Sequence, residues 1–427
     1  MKIHIKNGHV IDPKNNIDEK QDVYIVAGQV AGIGEAPKGF SASQTIDATG
    51  LIVTPGFVDL SARLREPGDE YKATLESELH AAAAGGITSL SCPPDTDPVL
   101  DEPGLIEMLK NRARKHNLAR IYPLGALTQN LEGKKLTEMC ELTEAGCAGF
   151  TQADKPIVDT QVLWRAFEYA ATFGYTVFLR PEEPFLTKGG VAHDGEVAGR
   201  LGLKGIPSAA ESLRIATVLR IAAETKTKIH FCRLSTAEGV ALIKEAKMNG
   251  VAITADVSAN HLHLTEHDIG YFNTQAHTKP PLRTVRDREA LCQGVKEGTI
   301  DAICSDHTPV DDDAKLVPFA EAEAGSTGLE LLLPLTLKWA NENKASMRDA
   351  ISRITIQPAH ILGINSGHLT LGSNADITIF DPESAWTVSP STLKSQGKNT
   401  PYLNMEVIGK VMYTFLNGQF TYQNKTQ

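Results

Sequence analysis

Polar and apolar positions alternate with period two at both ends of this chain. Between the ends, short apolar runs alternate with longer stretches of helical spacing. In residues 1–52 the alternating stretches are Lys2 to Lys6, Asp22 to Val26 and Gln29 to Ile33, with Gly8, Gly28 and Gly34 between or beside them. That pattern predicts a small β-sheet built from hairpins. The far end mirrors it: Ala375 to Phe380 and Lys410 to Phe415 alternate, and Asn417-Gly418 is a strong hairpin turn. The two ends are expected to pair into one sheet-rich, β-sandwich-like domain of residues 1–52 and 365–427.

Residues 53–364 follow a different rhythm. Apolar strand candidates are Leu51–Leu60, Thr88–Cys92, Arg120–Gly125, Gly149–Thr151, Thr176–Leu179, Lys228–Cys232, Val251–Val257 and Ala302–Ser305. Helical stretches separate several of them, at Leu75–Ala84, Gly104–His116, Val162–Phe173, Ser208–Glu224 and Ala237–Asn249. Buried short strands alternating with helices predict an α/β fold, a parallel (β/α)8 barrel with its helices outside. Active sites of such barrels lie at the carboxyl ends of the strands, so the residues just after each strand decide function.

Composition narrows the choices. The 427 residues are 41% hydrophobic, enough for a large barrel and a smaller appendage. No apolar run reaches the roughly 18 residues of a membrane span. The start, Met1 to Lys6, has no signal-peptide core, so the expected location is the cytoplasm. A formal net charge of -10 argues against a nucleic-acid partner. Cys92, Cys140, Cys147, Cys232, Cys292 and Cys304 form no Cys-x-x-Cys pair and read as reduced thiols.

Residues 55–68 read Pro-Gly-Phe-Val-Asp-Leu-Ser-Ala-Arg-Leu-Arg-Glu-Pro-Gly. Further blocks are Ala81 to Gly86, Pro280-Pro281-Leu282-Arg283, Gly298 to Ile303, Asp306-His307 and Gly397 to Pro401. In this order they resemble bacterial dihydroorotases of the longer type, cyclic amidohydrolases, over nearly the whole chain. The resemblance implies the amidohydrolase barrel and a chemistry in which a zinc-activated hydroxide attacks an amide carbonyl while an aspartate moves the proton.

The family's metal ligands map onto strand ends, and most are changed here. The His-x-His pair is Ser61 and Arg63. The bridging carboxylate falls in Phe150 to Pro156, where Gln152 and Ala153 leave it displaced or lost. Two further histidine positions are Arg180 and Arg233, and only Asp306 keeps the family residue. A serine is a poor zinc ligand and a guanidinium offers no lone pair. Three fixed positive charges would also repel a divalent cation, each by about 1–4 kcal/mol at partly screened distances. No metal and no other cofactor is therefore expected, and Asp306 reads as a relic salt-bridged to arginine.

The substrate side is altered as well. Arg65, the family's carboxylate holder, is kept, free to pair with Glu66 or Asp95 or to hold an anion. Two family asparagines are Asp95 and Lys279, and a family histidine is Val310. His261 and His263 form a local His-x-His whose bland reading, a loop or helix start, outweighs a transplanted metal site. His230 and His307 read as structural neighbours. Asp311-Asp312-Asp313 reads as a solvated loop, and Gly189-Gly190 lacks the Gly-Lys-Ser/Thr of a phosphate loop.

The resemblance is nearest to the inactive dihydroorotase homologues that assemble with bacterial aspartate carbamoyltransferase in pyrimidine biosynthesis. It implies a non-catalytic assembly subunit, a pseudoenzyme whose partner is the aspartate carbamoyltransferase catalytic chain in a hetero-oligomer; a homodimer is also compatible. The alternative is an amidohydrolase with a rebuilt mononuclear or metal-free site acting on a cyclic amide.

Overall fold

The structure is a computed structural model that describes residues 2–424. Eight parallel strands form the barrel in chain order: Phe57–Asp59, Ile87–Cys92, Arg120–Ala126, Gly149–Thr151, Thr176–Leu179, Lys228–Phe231, Ile253–Ser258 and Ala302–Cys304. Most positions in them are buried, and Ile87–Cys92 is buried at every residue. Continuous burial is what a parallel sheet covered by helices requires. The seam between first and last strands closes just beyond their ends. Arg63 donates its backbone N–H to the His307 carbonyl at 2.8 Å, and His307 donates to the Ser61 carbonyl at 3.0 Å.

The helices follow local signals. Leu75–Ala84 starts at Thr74, whose hydroxyl accepts from the Ser77 N–H in a capping box, and stops at Gly85. A Cβ at Gly85 would lie 2.3 Å from the Leu329 carbonyl, so only glycine lets the chain pass there.

The two ends of the chain share one mixed sheet. Its order is Gln419–Gln423, Glu406–Leu416, Ile377–Thr387, Ile52–Pro55, Lys2–Asp12, Ile17–Val26 and Gln29–Ile33. Gln44–Asp47 pairs in parallel with the first half of Lys2–Asp12, and Ile52–Pro55 pairs with the second half. Ile3, Ile5, Val23, Ile25, Ile377 and Phe415 fill a separate core there.

The apolar run Leu51–Leu60 therefore serves two sheets rather than one strand. Ile52–Pro55 belongs to the terminal sheet and Phe57–Asp59 opens the barrel. Gly56 joins them, and a Cβ on it would strike the Thr88 side chain at 2.2 Å. This short joint fixes the first strand end, and with it Arg63, against the rest of the barrel.

Candidate functional site: an arginine–carboxylate cluster at the barrel mouth

The first strand runs on into Ser61-Ala62-Arg63. Ser61 contributes its carbonyl to the seam, while Arg63 turns into the mouth and is 7% exposed. Its guanidinium meets Asp95 at 2.9 Å, Asp154 at 2.8 Å and the Thr308 hydroxyl at 3.1 Å. Arg180, after the fifth strand, donates through Nε to Asp154 at 2.6 Å and contacts Glu182. Arg233, after the sixth, reaches Asp154 at 2.7 Å and Asp306 at 2.9 Å. The three arginines thus converge, and one carboxylate gathers them: Asp154.

Asp154 is the carboxylate that the segment Phe150 to Pro156 sends into the cavity. Gln152 turns aside and donates to the Thr128 hydroxyl at 2.9 Å. Ala153 takes a left-handed conformation, φ 50°, and the next side chain enters the cavity. Arg65, Arg233 and Asp306 also have positive φ, at 61°, 56° and 50°. Left-handed non-glycine residues cost of order 1–3 kcal/mol each and persist where surroundings over-determine them. The sequence points to Asp306 as an arginine's partner but not to Asp154, because the turn that aims Asp154 inward is decided by backbone twist.

Both Asp154 oxygens are engaged, Oδ1 by Arg180 and Arg233 and Oδ2 by Arg63. Burial works to raise its pKa. Arg233, Arg180 and Arg63 together outweigh burial and hold the carboxyl well below the usual range. At Asp306 burial wins over Arg233 and Arg63, and the carboxyl is raised. Asp59 stays outside this exchange, accepting from the Ser305 N–H at 2.8 Å and from its hydroxyl.

Arg65 pairs with neither Glu66 nor Asp95. It donates to the Pro309 carbonyl at 2.8 Å and lies 3.8 Å from Asp69, while Glu66 takes Arg112 at 2.6 Å. The reason is competition: Asp95 is already held by Arg63. Lys279 gives its carbonyl to Arg233 at 3.2 Å.

The histidines are structural. His307 accepts from the Gly328 N–H through Nδ1, so its Nε2–H donates to buried Glu78 at 2.5 Å. His261 and His263 address the carbonyls of Pro281 and Leu335, 3.3 and 2.8 Å away, and burial lowers both to about 4. His230, Cys232 and Asp256 are the one group among the described residues with metal-compatible spacing, their donor atoms lying within 4.8 Å of one another. His230 already spends both nitrogens, on Thr254 and Asp256, each at 2.8 Å. Asp256 also accepts the Arg233 backbone N–H at 2.6 Å. Asp311-Asp312-Asp313 runs into the turn Asp312–Lys315, in which Asp312 and Asp313 are exposed and Lys315 is buried.

Comparison with known proteins agrees with this architecture. Residues 188–421 match the amidohydrolase family and residues 50–239 the dihydro-orotase-like family. L-hydantoinase from Arthrobacter aurescens superposes with a TM-score of 0.88 at 24% identity, covering 99% of this chain and 96% of its own, which shows the shared fold. A dihydroorotase-like protein of Pseudomonas aeruginosa is 42% identical over 423 residues, 99% of this chain and 100% of the relative. Dihydroorotase of Geotalea daltonii is 40% identical over the same length, with the same coverage. The chain belongs to the dihydroorotase-like amidohydrolases.

The family's zinc does not fit the residues present. Arginines stand at positions where the resemblance places ligands, a guanidinium offers a metal no lone pair, and the cluster's two inward aspartates are bonded to those arginines. No helix among the described residues is long and apolar enough to cross a membrane.

Proposed function

We propose that this chain is a non-catalytic dihydroorotase homologue serving as an assembly subunit of aspartate carbamoyltransferase. The observation that carries the reading is the bonding of Arg63, Arg180 and Arg233 to Asp154 and Asp306. Hydrolysis of a cyclic amide needs a bound hydroxide and an aspartate free to accept its proton. Here Asp306 is bonded to Arg233 at 2.9 Å, and guanidinium groups occupy the ligand positions. The barrel core around them is intact, with Phe57, Phe150, Phe178 and Phe231 all buried. A chain that keeps its shape and gives up its chemistry can still act through its surface.

The test has two arms. The purified chain should hold no stoichiometric zinc and hydrolyse no dihydroorotate. The transferase chain co-expressed with it should run as a mixed complex in gel filtration, since stable interfaces bury about 1,200 Å² or more. It should also show carbamoyltransferase activity that the transferase lacks when expressed alone. Equal size and equal activity in both preparations would refute the assembly role.

A further inference from the structure

Two loops on the mouth side of the barrel carry large apolar side chains into solvent. The loop after the seventh strand presents Tyr271, 96% exposed, and Phe272; the loop after the eighth presents Leu316, 80% exposed, and Val317. The two loops are bonded to each other. Thr274 Oγ1 donates to the Lys315 carbonyl at 2.6 Å. Buried Lys315 in turn donates its ammonium to the carbonyls of Thr274, His277 and Glu323, at 3.0, 3.3 and 2.6 Å. Behind them the Phe319 ring stacks on His277, with 4.8 Å between centroids. Phe272 has φ 60°, a left-handed conformation that bulky side chains rarely adopt. A single exposed apolar residue is ordinary, but four on two loops fixed to each other have the composition of an interface centre.

The surroundings of this face carry one sign of charge. Asp312, Asp313, Glu321 and Glu323 are exposed on the second loop. Residues 266–274 and 311–323 contain no arginine, and their one lysine is Lys315, whose ammonium is spent inward. Glu323 is matched by Lys72 at 2.9 Å, whereas Asp312, Asp313 and Glu321 have no such cation among the described residues. A second copy of this chain would bring the same acids against the face, from a molecule whose net charge is already -10. Like charges set against each other disfavour that pairing. The face fits a partner whose apolar side chains are ringed by lysine or arginine.

We propose that Tyr271, Phe272, Leu316 and Val317 form the face on which the transferase chain docks, through an apolar patch of its own surrounded by basic side chains. The inference rests on the assembly role proposed above and names the surface that performs it.

The test is gel filtration and calorimetric titration of the full-length protein with the transferase chain. Tyr271→Asp and Leu316→Asp should each weaken the mixed complex by about tenfold or more, the loss expected for an anchor at an interface centre. Asp312→Asn with Asp313→Asn should slow association and reduce its sensitivity to salt. Met248→Asp changes an equally exposed apolar residue at the far end of helix Ala237–Met248 and should leave the complex as it is. Melting temperatures equal to the parent's show that these exposed changes spare the fold. A complex of parental affinity in both aspartate variants would overturn the docking face and leave the assembly role standing. No mixed complex with the parent would refute the assembly role, and the docking face with it. Self-association of the parent that the same two variants abolish would give the face to a second copy of this chain and overturn the proposal.

Discussion

Asp154→Asn is the most informative single change in the cluster. Asparagine keeps the shape and removes the charge that Arg63, Arg180 and Arg233 share. The three donors sit 2.6–2.8 Å from the carboxylate, and the arginine side chains are 5–7% exposed. Breaking a fully buried ion pair costs about 3–5 kcal/mol. Two facts reduce that here. The Asp154 side chain is 21% exposed, so water screens part of the loss. Each arginine also keeps a second acid: Asp95, Glu182 or Asp306. A cost of about 3 kcal/mol follows from the lower end of that range. Unfolding entropy scales to roughly 0.9 kcal/mol/K for 427 residues, so the melting temperature should fall by about 3 °C.

Differential scanning calorimetry at neutral pH reads this directly, with Asp95→Asn as the comparison. That variant removes one bond, to Arg63 Nε at 2.9 Å, and leaves Arg63 its bond to Asp154, so its shift should be smaller. The pH dependence has a definite sign. The Asp154 pKa is lowered on folding, so its stabilisation is present above the ordinary carboxylate range and is lost only as pH falls through the depressed value. The gap between parent and Asp154→Asn should thus hold from neutral pH down to the ordinary carboxylate range. A gap that closes at mildly acid pH, or a variant as stable as the parent, would show that Asp154 does not organise the cluster.

Ser61→His with Arg63→His should restore neither zinc nor hydrolysis, because Arg180 and Arg233 remain; metal analysis and a dihydroorotate assay check it. Glu330 is pushed up to about 7 by burial, against backbone donors on Lys394 and Ser395. A carboxyl raised on folding lowers stability as pH rises from about 4.5, its unperturbed value, to about 7, so Glu330→Gln should flatten that slope in pH-resolved melts.

Much of the barrel was legible in short apolar runs and their punctuation. Gly149–Thr151, Thr176–Leu179 and helix Leu75–Ala84 fall where the pattern put them. Helix Val285–Glu297 was not read, though Thr284 and Asp287 form a capping box that signals its start. Arg63, Arg180 and Arg233 could be placed at strand ends because flanking motifs fix their register. Their partners could not. Asp154 depends on the left-handed turn at Ala153, which no local preference of alanine announces. Arg65 ends on a backbone carbonyl, and a carbonyl has no signature in the sequence.

The cluster also explains how such a barrel can stay closed without a metal. Its strand ends bring Asp154 and Asp306 into one cavity, and two carboxylates brought together need a cation between or beside them. A divalent ion can serve only while it is bound, so stability would follow metal supply. Guanidinium groups carry the same sign of charge permanently and supply several directed donors each. Arg233 bridges Asp154 and Asp306, Arg63 bridges Asp154 and Asp95, and Arg180 links Asp154 to Glu182. The second, fourth, fifth, sixth and eighth strand ends and the continuation of the first are thereby tied by side chains covalently part of the fold. On the proposed non-catalytic reading, charge compensation lies in the sequence and not in a dissociable ion, and the mouth should keep its shape whatever the metal concentration outside.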